Sequence, residues 1–78
     1  MDDEEIKEVY SEHHDILFTY KGITYFFVCG IGADYIQKGL RDNTRICECE
    51  KGKALTDLKI NGVTLYDMLK EAININIY

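Results

Sequence analysis

The side chains able to do chemistry in this 78-residue chain are few: Ser11, His13, His14 and Asp15 in one run, then Cys29, then Cys47 and Cys49. Ser11 is the only serine, and Glu12 and His13 follow it at one and two positions, where helix side chains do not face each other. No nucleophile–base–acid relay assembles from them. His13, His14 and Asp15 could supply a base, but no nucleophile or second acid accompanies it. Cys29 is the best-placed thiol, because it closes a β-type run and a helix starting just after it would lower its pKa. The plainer reading is a buried, inert thiol.

Cys47-x-Cys49 in an extended strand separates its Cα atoms by roughly 6.6 Å with both side chains on one side, a poor disulfide geometry. The two cysteines read as small core residues of an inner face. The alternatives are a metal site using Cys47 and Cys49 with His13 or His14, and a thiol or metal site built on Cys29, Cys47 and Cys49. Zinc pairs favour C-x2-C, and adjacent helix histidines point about 100° apart. Cys29-Gly30-Ile31-Gly32 resembles the opening of a phosphate loop, but position 35, where a third glycine belongs, is Tyr35. It reads as a connection out of a hairpin. The expectation is therefore no catalytic residue, no metal and no cofactor.

The elements that must carry these residues are organised around Asp15–Tyr20 and Ile23–Cys29, two runs rich in β-branched and aromatic residues joined by Lys21-Gly22. A two-residue turn pairs Tyr20 with Ile23, Phe18 with Tyr25 and Ile16 with Phe27 on one face. Leu17, Thr19, Thr24, Phe26 and Val28 take the other. Both faces are apolar, so each requires a cover, from the chain's own helices or from a second protein.

Upstream, Ile6, Val9, Tyr10 and His13 recur with helical spacing, predicting an amphipathic helix from Asp2 to about Glu12 with Glu4, Glu5, Glu8 and Glu12 off the apolar stripe. Downstream, residues 34–40 fit a short helix capped by Asp34 or a strand equally well. Thr44–Glu50 alternates as a strand, with Arg45, Cys47 and Cys49 on one face and Ile46, Glu48 and Glu50 on the other. Ala54–Leu58 makes one helical turn. Asn61-Gly62 is the strongest turn signal and pairs Ile60 with Val63. Leu65, Met68, Leu69, Ala72 and Ile73 follow helical spacing and predict a helix over about Leu65–Ala72, started by Thr64 with Asp67, as second cover for the sheet. The alternating Ile73-Asn-Ile-Asn-Ile77 predicts a last strand that completes the sheet or pairs at its edge with a second copy.

Composition narrows the function classes. Residues 1–15 hold seven acids against Lys7, a net −6, while the other 63 residues hold seven acids and eight bases, a net +1. With no basic run, direct nucleic-acid binding is not expected; an acidic segment suits a protein partner with a basic surface. No apolar run approaches the roughly 18 residues of a membrane span, the N-terminal residues are acidic where a signal peptide is basic, and the three cysteines are an odd number. A cytoplasmic protein with reduced thiols is expected.

The expected fold is a single small α+β domain over 1–78: an antiparallel sheet of three to four strands seeded by the hairpin and covered by an N-terminal and a C-terminal helix. The expected function is stoichiometric protein binding without turnover. Its sharpest form is a small acidic inhibitor of nucleic-acid-handling machinery, of the kind phages and mobile elements use, anti-CRISPR proteins among them. Glu4, Glu5, Glu8 and Glu12 are the candidate partner-binding residues, with Tyr20 and Tyr25 as exposed aromatic anchors. A monomer or a homodimeric scaffold or regulatory subunit both fit.

Overall fold

A computed structural model describes residues 1–78. In chain order the elements are α1 (Asp3–Ser11), β1 (Ile16–Tyr20), β2 (Ile23–Cys29), β3 (Ala33–Gln37), β4 (Arg45–Glu50), α2 (Ala54–Asp57), β5 (Lys59–Ile60), β6 (Val63–Thr64), α3 (Leu65–Glu71) and β7 (Ile73–Ile77). The class is α+β, with a five-stranded antiparallel sheet ordered β4-β3-β2-β1-β7 and a separate two-stranded ribbon, β5-β6. The three to four strands expected from sequence become five because residues 33–37 are a strand and β7 joins the sheet beside β1.

The central hairpin has the register its sequence dictates: Ile16 opposite Phe27, Phe18 opposite Tyr25, Tyr20 opposite Ile23. Lys21 and Gly22 have φ of 49° and 79°, and Asn61 and Gly62 have 52° and 81°. Two consecutive positive φ values are what a two-residue hairpin turn needs to match the twist of its strands. Ile60 accordingly pairs with Val63.

Ile6, Ile16, Phe18, Tyr20, Tyr25, Phe27, Ile36, Ala54, Leu58, Leu65, Met68 and Leu69 form one buried cluster. Ile6 comes from α1, Ala54 from α2, and Leu65, Met68 and Leu69 from α3, so all three helices lie on the same face of the sheet. The sequence expectation of a cover on each face is corrected here. Burying each of the large side chains contributes roughly 1.5–3 kcal/mol, and the layer of helices is where the chain collects it. The opposite face, with Leu17, Phe26, Val28 and Tyr35, stays only half-buried.

Two irregularities change which side chains share a face. Gln37 pairs with Arg45 while Ile36 pairs with Cys47, so Ile46 is an extra residue in β4. An inserted residue reverses the alternation beyond it, and Arg45 lies with Glu48 rather than with Cys47 and Cys49. In β7, Asn74 has φ 52° and the register against β1 slips, pairing Ile73 with Thr19 and Ile77 with Ile16. The three isoleucines therefore do not share one buried face: Ile73 falls on the open side and is 62% exposed.

Candidate functional site

The acidic segment is held by two well-formed helix ends. The Asp2 carboxylate accepts the Glu5 N–H at 2.9 Å, and the Glu5 carboxylate accepts the Asp2 N–H at 3.2 Å. This reciprocal cap satisfies two otherwise orphaned donors and lies where the helix dipole favours negative charge. At the other end the His13 N–H reaches the Tyr10 carbonyl and the His14 N–H reaches the Val9 carbonyl, with His13 at φ 62°. That is a Schellman termination with histidine where glycine is usual. His13 is thus turned out of the apolar stripe that the spacing assigned to it, and is exposed.

Glu4, Glu5, Glu8 and Glu12 are all exposed, but they are not equivalent. Glu5 is committed to the cap, Glu12 sits 3.8 Å from the His14 ring, and Lys7 pairs with Asp3 at 3.2 Å. Glu4 and Glu8 have no ion-pair partner in the chain and stand one helical turn apart, about 6 Å along the axis. They are the free part of the row.

Tyr20 and Tyr25 are not exposed anchors: they are 9% and 6% exposed. Both belong to the face that β1 and β2 turn toward the helices, and Tyr25 packs against Phe18 with ring centroids 5.7 Å apart. What remains of their surface lines two shallow depressions, of about 400 and 320 Å³, which meet at Tyr20 and Val63. Lys70, Asp67 and Glu71 border the first, and Lys21 and Asn61 the second.

The potential catalytic groups form no relay: Cys29 meets the His14–Asp15 run through backbone, its thiol donating to the His14 carbonyl at 3.6 Å and its N–H to Asp15 Oδ1 at 2.9 Å. The Ser11 hydroxyl donates to the Glu8 carbonyl at 2.8 Å, and His14 Nδ1 lies 2.6 Å from the Tyr78 carbonyl oxygen. No helix follows Cys29: Gly30-Ile31-Gly32 is the turn into β3, so neither a thiolate nor a phosphate finds a helix N-terminus there. Burial, with the nearby Asp34 and Asp15 carboxylates, pushes the Cys29 thiol up from 9.0 to about 11. Burial and the Asp34 and Asp57 charges push Cys49 up to about 11, and burial raises Cys47. All three pack against the core as half-buried side chains, and no group of three or more His, Cys, Asp or Glu side chains stands at metal-binding spacing.

The most elaborate polar arrangement is structural. Asp34 is 2% exposed, and its Oδ2 accepts the Tyr10 hydroxyl at 2.9 Å and the Gly52 N–H at 3.1 Å. Its Oδ1 lies 3.4 Å from Lys51 Nζ, which also donates to the Gly30 carbonyl at 2.6 Å. The Tyr10 hydroxyl in turn accepts the Ala54 N–H at 3.1 Å. A buried carboxylate tolerates the loss of water only when its lone pairs are met in this way, and here they tie α1, β3 and the β4–α2 turn together.

The open face of the sheet was signalled in the sequence only by the doubly apolar hairpin. Its centre is Phe26, against which Tyr78 stacks edge-on at 5.8 Å. Arg45 lies over the Tyr35 ring at 3.9 Å and pairs with Glu48 at 2.7 Å, while Glu50 pairs with Lys53 at 3.0 Å. Sequence reasoning missed Tyr35, Arg45 and Tyr78 as members of this surface, because the first two depend on the strand at 33–37 and on the Ile46 bulge. No helix is long and apolar enough to cross a membrane. Comparison with models of known families, with curated proteins and with solved structures finds no match to this chain.

Proposed function

We propose that this protein is a stoichiometric protein-binding module whose acidic helix docks on a basic surface of its partner, and that it acts without catalytic turnover. The observation that carries the reading is the row of exposed carboxylates on α1, in which Glu4 and Glu8 have no counter-ion within the chain. A helix capped at both ends presents such a row with little ordering cost on binding. A surface built to grip phosphates with Lys and Arg is its electrostatic complement. The sharp form of the proposal is an inhibitor of nucleic-acid-handling machinery, of anti-defence type, which occupies the phosphate-binding surface in place of nucleic acid. The engagement of the Ser11 hydroxyl and the His14 ring with backbone carbonyls and the raised thiol pKa values support binding over turnover.

The test is affinity capture from a lysate of the source organism with the tagged chain and with a Glu4→Gln, Glu8→Gln, Glu12→Gln variant, each at low and high salt. Glu5 is left in place so that the cap is kept. The expected result is a partner lost in the variant and at high salt, whose nucleic-acid binding is titrated away by about one equivalent of the chain, since exposed charge pairs are screened within about 10 Å at 0.1 M salt. A partner that survives both changes overturns acidic docking.

A further inference from the structure

We propose that the depression between the turn of the β1–β2 hairpin and the β5–β6 ribbon binds a small organic acid, a monocarboxylate on an apolar body. Ile23, Ile60 and Val63 form its apolar walls, Tyr20 and Tyr25 its floor, and Lys21 and Asn61, from the two hairpin turns, its rim. At about 320 Å³ it stands at the small end of ligand pockets, which run from about 300 to 1,000 Å³.

Two phenols mark the site. The rings of Tyr20 and Tyr25 are buried in the core, yet neither hydroxyl has a hydrogen-bond partner in the chain, whereas that of Tyr10 has two. Every side-chain nitrogen or oxygen fully cut off from water is hydrogen-bonded. The two unpartnered hydroxyls are therefore the parts of Tyr20 and Tyr25 that reach the surface, and the surface they reach is this depression. A phenol whose ring is locked by packing cannot swing its O–H elsewhere, so the donor serves whatever enters. With Tyr25 opposite Phe18 and Ile23 opposite Tyr20, the two tyrosines are diagonal neighbours on one face of the hairpin, near enough for one ligand to meet both.

The charges select the ligand. Lys21 holds its ammonium 5.4 Å from the Tyr20 ring centroid and pairs with no carboxylate of the chain. No acid lines this depression; Asp67 and Glu71 border the adjoining one, beyond Tyr20 and Val63. One cation and two neutral O–H donors match a single carboxylate, which accepts from all three. A phosphate dianion asks for more positive charge than Lys21 supplies in a chain of net −5, and an amine meets Lys21 as a like charge. Ile23, 55% exposed, gains cover from an apolar body laid along Ile60 and Val63. No residue of α1 lines the depression, so the site is separate from the acidic docking surface.

Titration of the isotope-labelled chain with phenylpropanoate, followed by backbone amide chemical shifts, tests this against two molecules of the same body, phenylpropanol and phenylpropylamine. The acid is expected to bind with a Kd on the order of 1 mM, as suits a ligand of its size, and to move the amides of Gly22, Ile23, Asn61, Gly62 and Val63. The alcohol is expected to bind about fivefold more weakly and the amine more weakly still. Tyr25→Phe keeps the ring on Phe18 and removes only the donor, and is expected to weaken the acid about fivefold. Lys21→Gln, at an exposed turn position, is expected to bring the acid down to the affinity of the alcohol. Absence of shifts at about twenty times that Kd overturns the proposal, as do shifts centred elsewhere. Equal binding of acid and alcohol by the wild type, preference for the amine, or an affinity that neither Tyr25→Phe nor Lys21→Gln lowers overturns it as well.

Discussion

The Tyr10 hydroxyl donates to the carboxylate of Asp34 at 2.9 Å, across 24 residues of sequence, and at the same time accepts the N–H of Ala54. One phenol thus joins the N-terminal helix to the inner face of β3 and to the start of α2. Tyr10→Phe removes a hydrogen bond to a buried carboxylate and orphans a backbone donor, and is expected to cost about 2 kcal/mol. Asp34→Ala orphans the phenol, the Gly52 N–H and the Lys51 contact together and costs more, about 3 kcal/mol or above. Urea unfolding followed by circular dichroism measures both. Equal stability of Tyr10→Phe and wild type would mean that the network is not holding the helix.

His13 occupies the left-handed position that ends α1, with φ 62° and an exposed side chain. A residue with a Cβ is strained there, whereas glycine is not. His13→Gly is expected to stabilise the fold by about 0.5–1 kcal/mol, seen as a higher melting temperature. At the other end of the helix Asp2→Ala removes the cap and is expected to cost about 1 kcal/mol. The opposite sign of the two changes distinguishes backbone geometry from a general sensitivity of the segment.

Gly30 and Gly39 make a matched pair. A Cβ on Gly30 would lie 2.6 Å from the Ala33 carbonyl oxygen and 2.8 Å from the Tyr35 ring, while one on Gly39 would meet nothing within 4 Å. Gly30→Ala is expected to destabilise by about 1–3 kcal/mol, since backbone must move. Gly39→Ala, at a position without positive φ, is expected to be neutral or stabilising by up to about 1 kcal/mol through the unfolded chain. Thermal melts of the two variants beside wild type decide it.

The thiols and Tyr10 set an alkaline limit on stability. Cys29 and Cys49 are raised from 9.0 to about 11, and Tyr10, chiefly by burial, from 10.0 to about 12. The folded state therefore holds protons that the unfolded state has released, so this contribution is complete below pH 9 and is lost as the pH rises through about 11. Melting temperature is expected to fall from pH 9 to pH 11, and Cys49→Ala is expected to flatten the fall. The same burial predicts slow alkylation of the native protein at neutral pH against a fast reaction in denaturant. Native thiols that alkylate at the denatured rate would contradict it.

Local chemistry alone determined a good deal of this molecule. Lys21-Gly22 and Asn61-Gly62 closed their hairpins in the expected register, because residues that accept positive φ specify a two-residue turn without outside help. The spacing of Leu65, Met68 and Leu69 marked the buried stripe of α3, and Thr64 capped it through the Asp67 N–H at 3.1 Å. The acidic row on α1 was equally legible, since helical spacing alone separates it from Ile6.

What only the tertiary structure decided was which surface meets which. Residues 33–37 became a strand because β2 offered an open edge and β4 closed the other side, although Asp34 by itself suits a helix cap as well. Single extra residues at Ile46 and near Asn74 turned Arg45 and Ile73 to the open face, and alternation read along one strand cannot register a slip against its neighbour. Tyr20 and Tyr25 were buried, and Phe26 left open, because α1, α2 and α3 all came to one side. Two apolar faces compete equally for a cover in a sequence; chain connectivity in three dimensions chooses between them.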